Sequence, residues 1–77
     1  MAVQQHEADI QVELGGHRAA WWAASERGRA WVDAHPVLAE QAPEGVECSA
    51  SMCDQLVRQA LMAGLVVMAG DVEVSLC

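Results

Sequence analysis

Two short stretches of this chain alternate apolar and polar residues with a period of two, and that pattern restricts them to strands with one buried face. In Ala8 to Leu14, Ile10, Val12 and Leu14 point one way while Asp9, Gln11 and Glu13 point the other. In Asp71 to Leu76, Val72, Val74 and Leu76 oppose Asp71, Glu73 and Ser75. A shorter piece, Gly45 to Ser49, sets Val46 and Cys48 against Glu47. A helix would scatter residues spaced by two around its circumference, so these segments predict a sheet that is apolar on one side. Most of the opposing positions are carboxylates, which predicts that the other side is anionic.

The segments between them supply the remaining elements. Gly15 and Gly16 form a hairpin signal, with His17 to Ala24 as the returning strand. Trp21 and Trp22 then lie on opposite faces, one in the core and one on the open side. Ser25 is placed to cap a helix over Glu26 to His35, with Gly28, Trp31, Val32 and His35 at helical spacing, Trp31 anchoring its buried face, and Pro36 marking its end or a kink. The alanine content also admits one longer helix over 17 to 34. Val37 to Gly45 is a connection with room for a short helical turn. Ser51 and Asp54 have capping-box spacing, and in Met52 to Gly64 residues Cys53, Leu56, Val57, Ala60 and Leu61 share one face. Gly64 is a suitable carboxy-terminal cap. Leu65 to Met68 reads as a strand, turned by Ala69, Gly70 and Asp71 into the last one. The expected fold is therefore a small α+β domain in the order ββαβαββ: a mostly antiparallel sheet of four to five strands with two helices on one face.

At 77 residues the chain is expected to form one domain, 1 to 77, with 1 to 7 a frayed start. A domain of this size removes only about 60% of its surface from water on folding. It has no Phe or Tyr, so Trp21, Trp22 and Trp31 are its bulky packing residues. Eleven acids face four arginines and no lysine, for a net charge of −7. That balance argues against direct binding of nucleic acid or an anionic membrane. The longest nearly apolar run, Ala60 to Gly70, is far short of the roughly 20 residues needed to cross a bilayer.

Chemistry-bearing residues are sparse. Cys48 and Cys53 with His35 lack the paired spacing of a zinc site, and read better as small apolar residues beside a helix start. A Cys53 nucleophile with His17 or His35 as base would gain reactivity from the nearby helix start, but the domain leaves little room for an active-site cleft. The expectation is no enzyme, with no catalytic residue, no metal and no cofactor. Methionines at 52 and 68 read as core filling and Met62 as solvent-facing. Three cysteines, with no secretory signal before them, suit a reducing cytoplasm. The absence of Lys, Asn, Thr, Phe and Tyr suggests a GC-rich bacterium or its phage.

Acids are disfavoured on strand exteriors, and neighbouring like charges weaken a sheet. A chain that accepts both costs is expected to be selected for its potential. Outward side chains on one strand repeat about every 6.7 Å, a spacing commensurate with a nucleic-acid backbone. The expected contact set is Asp9, Glu13, Glu47, Asp71 and Glu73, with Trp22 as an aromatic contact. In size, acidity and inferred layout the chain resembles the phage-encoded inhibitors of bacterial defence known as anti-CRISPR proteins, several of which occlude the DNA-binding groove of a surveillance complex. The resemblance implies a non-enzymatic nucleic-acid mimic acting in the bacterial host cytoplasm on a basic nucleic-acid-binding partner, as monomer or homodimer. A second expectation is an accessory or antitoxin-like module from a mobile element that binds through a sheet edge or the surface of the second helix.

Overall fold

A computed structural model describes residues 8 to 75 of the chain. The expected frayed segment over 1 to 7, and Leu76 in the last strand, lie outside the described residues. The chain forms β1 (Ile10–Gly15), β2 (Arg18–Ala23), α1 (Glu26–Asp33), α2 (Pro36–Gln41), β3 (Cys48–Ser49), α3 (Ala50–Met62), β4 (Val67–Ala69) and β5 (Val72–Val74). One five-stranded sheet runs in the order β3-β2-β1-β4-β5. Its central pair, β1 with β4, is parallel, and the other three pairings are antiparallel.

The α+β expectation is met, with a third helix added. As expected, α1 ends just before Pro36, at Asp33 with Ala34 as its C-cap, and Pro36 then opens α2 at a position where its missing N–H would have had no helical partner. The order is therefore ββααβαββ. The longer helix over 17 to 34 does not form, because β2 pairs with β1 along its whole length, from Ile10 opposite Ala23 to Gly15 opposite Arg18. Gly16 supplies the positive φ, 66°, that this tight turn requires.

Capping of the last helix also differs from expectation. Ser49, not Ser51, is the N-cap of α3, its hydroxyl accepting from the Met52 amide at 3.4 Å. Asp54 instead pairs with Arg58 one turn on. The strand over Gly45 to Ser49 shortens to β3, leaving Val46 exposed.

Paired positions in a ladder share a face, so the register divides the sheet cleanly. Ile10, Val12, Ala19, Trp21 and Val67 are buried on one side, where they meet Val32 of α1 and Cys53, Leu56, Val57 and Ala60 of α3. Of the three tryptophans only Trp21 is fully buried, and its indole N–H donates to the Ala42 carbonyl at 2.7 Å. Trp31 is half-buried at the core margin and stacks on His35 with ring centroids 4.4 Å apart. Leu14 and Val72 lie on the core side of the sheet by register, yet both stay exposed.

The two sheet edges are finished differently. Beyond the short β3, the free edge of β2 is satisfied by the loop after α2: Gly45 donates to the Trp21 carbonyl at 2.7 Å, and the Ala23 amide donates to the Glu44 carboxylate at 2.8 Å. The β5 edge carries only three residues. Among the described residues, no helix is long and apolar enough to cross a membrane.

Candidate functional site

The face of the sheet opposite the helices is the candidate site. Its centre is a row running across four strands, Trp22 opposite Gln11, Gln11 opposite Met68, and Met68 opposite Glu73. Ala20 and Glu13 form the next row. Trp22 is 37% exposed, and Gln11, Ala20 and Met68 are half-buried, so the middle of this face is low in charge. The Gln11 amide donates to the Gly70 carbonyl at 3.2 Å, which fixes it between β1 and the β4–β5 turn. Gln11, Glu13, Trp22 and Gly70 border a shallow hollow of about 480 Å³.

Charge at the rim depends on which acids already have a partner. Each arginine is engaged: Arg18 with Glu47 at 3.6 Å, Arg27 with Asp9 at 2.8 Å, Arg29 with Glu44 at 2.5 Å and Asp33 at 3.6 Å, and Arg58 with Asp54 at 2.9 Å. Glu13 and Glu73 on the open face, and Asp71 in the β4–β5 turn, have no arginine partner among the described residues. All three are exposed. Regular strand spacing puts Glu13 and Glu73 about 12 Å apart, two strands across and two residues along.

The expected set is thus only partly assembled. Glu13 and Glu73 share the face with Trp22, and Asp71 flanks it. Glu47 precedes β3 at the far edge, its charge offset by Arg18. Asp9 does not belong to the face: it is 6% exposed, just ahead of β1, where the chain turns inward between α1 and β4. Its carboxylate accepts from the Ser25 hydroxyl at 2.6 Å, the Val66 amide at 2.9 Å and the Arg27 guanidinium at 2.8 Å. Burial by itself would raise the Asp9 pKa, but bonds from Ser25, Val66 and Arg27 together outweigh it and hold the carboxyl below its ordinary value. Sequence parity could not distinguish this carboxylate from Glu13, since both alternate with the same apolar set.

Gln11 lies on this surface as its alternation with Ile10 and Val12 predicts, whereas Ala20 and Met68 were not expected there. Ala20 follows from parity once Trp22 is known to face outward. Met68, read from sequence as core filling, is placed outward by its register with Gln11. The parallel β1–β4 pairing sets that register, and it joins residues too far apart in sequence for periodicity to align.

Elsewhere the chemistry is modest. Cys53 lacks the activated thiol its helix-start position suggested: burial comes first, then the nearby Cys48 and Asp54, and together they push its pKa up to about 11. His35 faces Trp31 through Nδ1, 2.7 Å from the Trp31 carbonyl oxygen, and His17 is exposed in the β1–β2 turn. Among the described residues, no group of three or more His, Cys, Asp or Glu side chains is gathered for a metal ion. Comparison with protein-family models, curated proteins and solved structures gave no match.

Proposed function

We propose that the chain is a non-enzymatic inhibitor of the anti-CRISPR kind, which docks the open face of its sheet into a basic nucleic-acid-binding groove of a bacterial defence complex in the host cytoplasm. One observation carries the reading. All four arginines are paired with other acids, while Glu13, Asp71 and Glu73, around a half-exposed Trp22, have no ion-pair partner among the described residues. Rim carboxylates of this kind steer a basic partner and set the rate of encounter, and a central aromatic residue slows dissociation. Mimicry here rests on local potential at one face, because Asp9 and Glu47 are neutralised by their partners.

The test is affinity capture from a defence-proficient bacterial lysate with the native chain and with a Glu13→Lys/Glu73→Lys variant whose circular dichroism matches it. Native protein should retain a basic nucleic-acid-binding subunit, compete with nucleic acid for it, and release it as salt rises. Equal retention by the folded double variant sinks the proposal.

A second reading rests on β5. Its outer edge has no partner strand among the described residues and carries the exposed Val72, and on the core side of the sheet an apolar cleft of about 410 Å³ is lined by Val12, Leu14, Val57, Ala69 and Val74. An accessory or antitoxin-like module would pair a partner strand there. Such binding should change little with salt and should be lost on Val72→Lys.

A further inference from the structure

Cys48 and Cys53 hold the two positions that flank the start of α3. With Ser49 as N-cap, Cys48 is the residue before the cap and Cys53 the fourth residue of the helix. Side chains at these two positions pack together across a helix start, in the arrangement known as the hydrophobic staple. Here both staple positions carry a thiol.

The surroundings of each sulfur reinforce the pairing. Cys48 lies opposite Ala19 in the β2–β3 ladder, so it points to the core side of the sheet, toward α3. Its Sγ donates to the Ala19 carbonyl at 3.5 Å, and the residue is half-buried and open to solvent on one side. Cys53 is 2% exposed on the inward face of α3, where the other buried residues, Leu56, Val57 and Ala60, are aliphatic. Cys48 is therefore the more exposed residue of the pair, and Cys53 is buried beside the cleft formed with Val12, Leu14 and Val57.

We propose that Cys48 and Cys53 form a dithiol site that closes reversibly to an intramolecular disulfide by exchange with a small disulfide such as oxidised glutathione. The Cys48 thiolate attacks one sulfur of the oxidant, forms a mixed disulfide and expels one glutathione thiolate. Cys53 then loses its proton to water and attacks the Cys48 sulfur. The bond to glutathione breaks, and the second glutathione leaves as a thiolate that takes up a proton. Two protein thiols become one disulfide, and one oxidised glutathione becomes two reduced molecules. Burial slows the second step by disfavouring the Cys53 thiolate, while proximity to Cys48 speeds it. The product ties the edge strand β3 to the first turn of α3.

The test uses the full chain carrying Cys77→Ser, which removes the third thiol. After incubation of the folded protein with oxidised glutathione, both remaining thiols should be lost to titration. The intact mass should fall by that of two hydrogens, with no adduct retained, and dithiothreitol should reverse the change. Adding Cys53→Ser should halt the reaction at one stable glutathione adduct on Cys48. Adding Cys48→Ser should leave Cys53 unreacted until denaturant is present. A stable glutathione adduct on the Cys77→Ser protein, or two titratable thiols left while its near-ultraviolet circular dichroism stays native, overturns the proposal. Closure seen only in denaturant overturns it as well.

Discussion

Asp9 is the residue whose role most changes between sequence and structure, and two predictions rest on its surroundings. Its carboxylate accepts from Ser25, Arg27 and the Val66 amide, which joins the starts of β1, α1 and β4. Replacement by Ala leaves the half-buried Val66 amide without its acceptor and should cost about 1 to 3 kcal/mol in chemical denaturation. The folded pKa is depressed, so this contribution is complete above the unfolded value of about 3.9 and is lost as pH falls through the lower folded value. Asp9→Asn should therefore flatten the acid limb of a stability profile below about pH 4; part of the limb remains, because Arg29 first of all also holds the Glu44 pKa down. Gly28 makes the second case. A Cβ there would overlap the Asp9 carbonyl group, 2.8 Å from its carbon. Helix propensity alone makes Gly28→Ala stabilising by about 1 kcal/mol, but the backbone clash should reverse the sign and cost about 1 to 3 kcal/mol. Thermal denaturation reads the difference, and a stabilised variant would refute the close packing of α1 on β1.

Elements follow local chemistry closely where that chemistry is short-range. The β1–β2 hairpin, the Ser25 cap and the inward face of α3 are legible because alternation, a glycine pair and capping act within a few residues. Alpha helix α3 shows where such reading stops. Ser49 and Ser51 are both acceptable caps by residue type, and the choice falls to Ser49 because β3 holds it extended, with φ −66° and ψ 147°, in the ladder with β2. Ser49→Ala should accordingly cost about 1 kcal/mol, and Ser51→Ala only a few tenths, as measured by urea midpoints. Equal losses would contradict this assignment of the cap. Shortening of β3 has a similar cause: the loop after α2 already satisfies β2 through Gly45 and Glu44, so a longer β3 has no remaining edge to pair with.

For the molecule as a whole, a chain of 77 residues is expected to be stable by only about 4 to 12 kcal/mol. Trp21 is its one fully buried aromatic side chain, so Trp21→Ala should cost about 3 to 5 kcal/mol and leave the domain partly unfolded at 37 °C. Trp22→Ala, on the open face, should cost about 1 kcal/mol or less and act instead on partner capture. Near-ultraviolet circular dichroism of the two variants separates these outcomes. By itself the sequence determined that the chain builds a sheet with one apolar side, that helices follow Ser25 and precede Gly64, and that acids outnumber bases. These properties depend on residue type and on neighbours a few positions away. Tertiary structure alone decided which acids carry free charge. Asp9, just ahead of β1, and Glu13 within it fall in the same alternation, yet one lies among Ser25, Arg27 and Val66 and the other faces solvent. Their difference comes from α1 and β4 closing on one end of β1, contacts between segments up to 57 positions apart that no local pattern encodes.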